Sequence, residues 1–227
     1  FPLCLVLAVL PLTLHADMEI LQLNPARHDR FFVGTNKAFI GAAYDWSGVG
    51  RANNGAWATM ISPRYFVSAT HYHPTGGNTL TFYEGNSNTP SHAYTVDNWG
   101  YQTTNGPDGS DLWLGRLTAP LDPAHRIATY PVLMLRGDAW YRGLEIYCYG
   151  VPHRVGRNTI DDIHDYTAEG GNTRLLKFDY TVTNSPVNGD ECHLIGGDSG
   201  APTFVVCGGE LVLNHARGFC FRHIWMQ

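Results

Sequence analysis

The sequence predicts an all-β fold, and three observations carry that prediction. The apolar segments are short and rich in Val, Ile, Tyr, Phe and Trp in near alternation, the period of a strand with one buried face. Turn-forming clusters separate them, among them Gly76-Gly77-Asn78, Asn105-Gly106-Pro107-Asp108-Gly109, Gly170-Gly171-Asn172 and Asn188-Gly189-Asp190. No stretch of about 12 residues keeps a helical period of apolar positions. In chain order the predicted strands lie in Phe39–Tyr44, Ala56–Ser68, Thr79–Tyr83, Asp111–Leu117, Tyr130–Leu135, Leu144–Val151, Leu175–Val182 and Ala201–Cys207. Strands so spaced fit a sandwich or barrel. The segment Thr118–Ile127 carries two prolines and reads as a connection between two halves.

Composition narrows the class of function. The 227 residues are 44% hydrophobic and 12% aromatic, enough for a packed core, and only 15% charged, the opposite of a disordered chain. The net charge is −5 and no run of five basic residues occurs, so no nucleic-acid partner is expected.

The first fourteen residues, FPLCLVLAVLPLTL, are almost wholly apolar but too short for a membrane span. They read as a signal-peptide remnant over residues 1–16, with Leu14-His15-Ala16 as the cleavage site before Asp17. The expectation is a secreted protein, extracellular or periplasmic, with no membrane contact after signal removal. Cys4 leaves with that segment. Cys148, Cys192, Cys207 and Cys220 then allow three disulfide pairings in an oxidising compartment.

The chemistry-bearing motif is Gly196-Gly197-Asp198-Ser199-Gly200-Ala201-Pro202. Glycines on both sides of Ser199 let the backbone turn sharply and leave the hydroxyl exposed as a nucleophile. Neighbouring N–H groups in such a turn can converge on an oxyanion. A serine nucleophile needs a base, and the base needs an orienting acid. The segment Tyr65-Phe66-Val67-Ser68-Ala69-Thr70-His71 runs an apolar strand into a histidine, and the small residues before His71 leave its ring free at the strand end. Asp111 heads the apolar run Leu112–Leu117, where it is shielded and able to hold an imidazole.

These segments resemble the chymotrypsin/trypsin-like serine peptidases in order and context. Ser68-Ala69-Thr70-His71 is similar to the family's Thr-Ala-Ala-His, Asp111-Leu112-Trp113-Leu114 to its Asp-Ile-Ala-Leu, and Gly197-Asp198-Ser199-Gly200-Ala201-Pro202 to its Gly-Asp-Ser-Gly-Gly-Pro. The resemblance spans roughly Phe31 to Cys220 and looks bacterial in type and divergent, with both ends of the chain incomplete. It implies two packed antiparallel six-stranded β-barrels with the active site in the cleft between them. The first covers about 31–120 and the second about 128–227, within a domain of 17–227, and the second barrel is expected to be incomplete. It implies peptide-bond hydrolysis through an acyl-enzyme, with a protein or peptide as substrate and no cofactor or metal. His71 is then general base and acid, Asp111 its orienting acid, and Ser199 the nucleophile. The N–H groups of Gly197 and Ser199 form the oxyanion hole.

The resemblance also locates a substrate pocket. The family's pocket-base residue, six before the nucleophile, falls on His193, so a preference for Lys or Arg is not expected. With His215 and Arg217 on the wall the pocket favours acidic side chains; with Leu194 and Ile195 on the wall it is an apolar slot. Cys192 and Cys220 bridge across that pocket on the same alignment. Phe32-Val33-Gly34-Thr35 matches the family's activation terminus loosely, with Arg30-Phe31 as the processing bond.

Two other classes compete. One is a catalytically inactive protein of the same fold acting as a binding module. The other is a zinc-dependent secreted hydrolase in which His71 and His73, two apart on a strand, share one face.

Overall fold

The computed structural model of the chain describes residues 17–102, 111–168, 171–180, 187 and 189–215. In chain order the elements are β1 (Glu19–Ile20), α1 (Pro25–His28), β2 (Val49–Ala52), β3 (Trp57–Met60), β4 (Tyr65–Ala69), β5 (Thr79–Tyr83), β6 (Ser91–Gln102), β7 (Leu112–Leu117), β8 (Glu145–Gly150), β9 (Arg154–Thr159), β10 (Asp162–Ala168), β11 (Gly171–Lys177), β12 (Cys192–His193), β13 (Thr203–Cys207) and β14 (Glu210–His215). Short 3-10 turns at Pro123–His125 and Asp138–Trp140 complete it.

The first lobe is a closed antiparallel barrel in the order β2-β3-β4-β7-β6-β5. Its interior holds Ala58, Met60, Phe66, Leu80, Phe82, Val96 and Leu117. The whole of β3 is buried, which an amphipathic strand alone would not give. The pleat explains it: Ala58 and Met60 fill the barrel, while Trp57 points outward into a core shared with the second lobe. That shared core joins Trp57 and Val67 of the barrel to Tyr149, Val155 and Phe204 of the second lobe, with Trp46 and Tyr130 from the connections.

The described residues of the second lobe do not by themselves make a second closed barrel. Among the described residues it is a four-stranded sheet, β14-β13-β8-β9, with the hairpin β10-β11 and the pair β1-β12 beside it. Beyond its ladder with β8, β9 makes two isolated bridges among the described residues, Arg157 to Glu191 and Arg154 to Asp29, and β12 is two residues long before the Gly196-Gly197 turn. The N-terminal β1 pairs with β12, Glu19 against His193 and Ile20 against Cys192.

Two predicted strands are also corrected. Phe39–Tyr44 forms turns, with Phe39 buried in the shared core. Tyr130–Leu135 makes one isolated bridge, Val132 to Leu213, while Tyr130 packs inward. Apolar side chains there serve the contact between lobes without a ladder. Conversely, β6 and β9 are rich in polar residues and were not among the predicted strands.

The expected disulfides are not formed: Cys148, Cys192 and Cys207 are free. Cys148 and Cys192 lie in the second lobe's core, whereas Cys207 is exposed opposite Glu210 next to the β13–β14 turn. Cys220, the proposed partner of Cys192, lies outside the described residues, as does the signal segment 1–16.

Buried charge ties the N-terminal segment to the lobes. Asp190 receives Arg27 at 2.6 Å, Arg157 at 2.7 Å and His28 at 3.0 Å. Burial opposes its ionisation, yet the hydrogen bonds from His28, Arg27 and Arg157 hold its carboxyl well below the usual range. Arg30, fully buried, donates to the carbonyls of Tyr83 and Gly85 and to the hydroxyl of Tyr149.

Candidate active site

Strand register brings the acid to the base. β4 pairs with β7 with Ala69 opposite Leu112, so the residues just beyond, Thr70 and Asp111, are adjacent, and Thr70 N–H donates to Asp111 O at 2.8 Å. Asp111 is 3% exposed. One of its carboxylate oxygens accepts the His71 backbone N–H at 2.8 Å, and the other meets His71 Nδ1 at 2.7 Å. A carboxylate can only accept, so Nδ1 carries the ring proton and Nε2 is left as an acceptor. Nε2 lies 2.8 Å from Ser199 Oγ, which donates to it.

The serine loop is built by backbone conformation. Gly197 has φ +104 and Gly200 φ +79, values L side chains rarely adopt. A Cβ on Gly200 would lie 2.5 Å from Ser68 Oγ and 3.1 Å from Ala69 N. Glycine there lets the loop seat directly on the end of β4, where His71 waits. Within the loop Asp198 N–H donates to Ile195 O at 3.0 Å and Ala201 N–H to Asp198 O at 2.9 Å. The buried Asp198 carboxyl accepts the N–H of Val151 at 2.7 Å and of Ile195 at 2.9 Å. Burial pushes its pKa up to about 6 despite those two bonds. Among the described residues nothing accepts the backbone N–H groups of Gly197 and Ser199. One belongs to the serine itself and the other to the residue two before it.

Other expectations are modified. Val33 is 91% exposed in the intact chain, and there the Asp198 carboxyl is held by backbone amides and not by Phe32-Val33-Gly34-Thr35. Arg30 is buried, which removes Arg30-Phe31 as an accessible processing bond. His193 is 8% exposed on β12, with its ring 5.7 Å from that of Tyr180, so it does not point to solvent. His215 ends β14 opposite Thr203, and its side chain and Arg217 lie outside what is described. His71 and His73 do not sit on a strand, because β4 stops at Ala69; the alternation argument for a shared face therefore fails. The His73 ring stacks on Trp113 with centroids 3.8 Å apart and bonds Thr70 O through Nδ1 at 2.8 Å. Among the described residues no group of three His, Cys, Asp or Glu side chains is arranged to hold a metal.

A cavity of about 460 Å³ lies elsewhere, lined by Tyr44, Leu133, Trp140, Tyr147 and Cys207 among others, and none of the site residues borders it.

Sequence reasoning missed two contributors. Val151 supplies an amide to Asp198 from the far end of β8. Trp57 donates its indole N–H to Gly197 O at 3.1 Å. Neither carries a motif; strand alternation in Ala56–Ser68 could have placed Trp57 outside the barrel, but not against this loop.

What emerges is an all-β protein, a closed six-stranded barrel packed on a second β lobe, with a Ser-His-Asp constellation where the lobes meet. No protein-family model and no curated protein matches the chain. Among solved structures it is similar to a chimeric murine norovirus NS6 protease, crystallised as an inactive mutant. The identity is 15% over 74% of this chain and 83% of that one, with a TM-score of 0.45.

Proposed function

We propose that the protein is a serine-type endopeptidase of the chymotrypsin-like class that cleaves peptide bonds through an acyl-enzyme. One observation carries the reading: Asp111, His71 and Ser199 form an unbroken hydrogen-bonded line of 2.7 and 2.8 Å that ends on a serine hydroxyl. In this reading His71 Nε2 takes the Ser199 proton as Oγ attacks the scissile carbonyl carbon. Asp111 holds the ring in the required tautomer and stabilises the imidazolium. The N–H groups of Gly197 and Ser199 receive the negative charge on the former carbonyl oxygen. The imidazolium then gives its proton to the leaving amine, and water hydrolyses the acyl-enzyme by the reverse sequence. No step calls for a metal or an organic cofactor. The apolar run Phe1–Leu14 supports export as part of the same reading.

The test is covalent labelling. A fluorophosphonate should modify Ser199 stoichiometrically, located by peptide mass spectrometry, and chelator should leave labelling and turnover unchanged. Absence of a Ser199 adduct in folded protein rejects the proposal. Folded protein with no adduct and no hydrolytic turnover would instead favour the inactive binding module.

A further inference from the structure

The loop that carries the nucleophile belongs to the second lobe, whereas the base and its acid belong to the barrel. Besides the His71–Ser199 bond, the barrel reaches this loop through the indole of Trp57 on β3, which donates to Gly197 O at 3.1 Å. That carbonyl belongs to the Gly197–Asp198 peptide unit. The N–H of the same unit donates to Ile195 O at 3.0 Å, so the unit is held at both ends. The two backbone N–H groups that flank it, those of Gly197 and Ser199, have no acceptor among the described residues.

The indole itself has little freedom. Trp57 is fully buried, with the Arg51 guanidinium 4.9 Å over its ring. Tyr149 and His153 abut it edge-on at 5.4 and 5.2 Å. Arg51 is itself tied to Gly55 O at 3.1 Å. Gly197, by contrast, is exposed, and a glycine has the widest choice of backbone conformations once its carbonyl is released.

We infer that Trp57 is a positioning residue: its indole N–H fixes the Gly197–Asp198 peptide so that the N–H groups of Gly197 and Ser199 stay aimed at the developing oxyanion. This rests on the acyl-transfer reading above. Trp57 touches no reacting atom. It acts by keeping the loop from sampling conformations in which a donor turns away, and misdirected donors lower the rate without altering substrate binding.

The experiment removes the donor and keeps the ring. Trp57→Phe does so approximately; replacing Trp57 by β-(3-benzothienyl)alanine, which has sulfur in place of N–H, does so at constant shape and serves if the Phe variant fails to fold. Hydrolysis of p-nitrophenyl acetate is measured per active site, with sites counted by fluorophosphonate titration of Ser199. The expected result is a fall in kcat of about tenfold or more with KM within about twofold, in sites that still titrate. A purely structural role would lower the number of titratable sites and leave turnover per site intact. Per-site kcat within about twofold of wild type in either folded variant overturns the inference while leaving the peptidase proposal standing. Wild-type protein that does not titrate at Ser199 overturns both.

Discussion

The carboxyl of Asp198 accepts the backbone N–H of Val151 at 2.7 Å, so the acid preceding the nucleophile is anchored to the end of β8. Its other oxygen takes the Ile195 N–H at 2.9 Å. The serine turn is thus organised by neutral amide donors from within the folded chain.

The first prediction concerns the nucleophile. Ser199→Ala should abolish fluorophosphonate labelling and cut turnover of a peptide substrate by about four orders of magnitude or more, since the three side chains act as a unit. Circular dichroism should stay native. Turnover near wild type would place the chemistry elsewhere.

The two neighbouring histidines should behave differently. His71→Ala removes the bridge between Asp111 and Ser199 and should be as severe as loss of the serine. His73→Ala loses a stack on Trp113 and a bond to Thr70 O, so the expected loss in kcat is below about tenfold. A reversal of that ranking would mean that the base is misassigned.

Asp198 should make the protein less stable as pH rises through its folded pKa. The folded carboxyl titrates near 6, against 3.8 for the free group. The folded state therefore binds the proton more tightly than the unfolded chain. That stabilisation is complete below about pH 4 and lost as pH passes 6, roughly 2 kcal/mol between pH 4 and 7. Urea unfolding of wild type and Asp198→Asn at both pH values checks it. The gap between them should change by that amount, and an identical gap at both pH values refutes the assignment.

His153 should impose the opposite slope. Burial, aided by the Arg30 and Arg51 charges, depresses its pKa from 6.5 to about 3, and Nδ1 accepts from the Tyr149 hydroxyl. The neutral ring is a stabilising feature present above pH 6.5 and lost as pH falls toward 3, about 2 kcal/mol of it between pH 7 and 5. In His153→Gln, whose amide oxygen can replace Nδ1, the acid limb of the unfolding midpoint should flatten. A variant as acid-sensitive as wild type would remove His153 from the account.

Substrate choice is open to a positional-scanning peptide library. His193 supplies no fixed negative charge at the position six before Ser199, so cleavage after Lys or Arg should be minor. Dominant cleavage after Glu would point to His215 and Arg217 on the wall, and cleavage after medium apolar residues to a slot formed by Leu194 and Ile195. A majority of cuts after Lys or Arg would sink the pocket assignment.

The sequence alone determined the all-β character, because a period of two and closely spaced turn residues are local properties of the chain. It also singled out Ser199, His71 and Asp111, each marked by its immediate neighbours: glycines around the serine, an apolar strand before the histidine, another after the aspartate. Only the tertiary structure decided what reaches across the molecule. The pairing of Ala69 with Leu112 brings acid to base. β1, far from β12 in the chain, pairs with it. Trp57 meets Gly197 over a separation of 140 residues, and Val151 meets Asp198 over 47. The physical reason is the same in each case. A hydrogen bond between distant segments is chosen by how two packed lobes fit, and a backbone amide or a buried indole leaves no signature in the residues beside it.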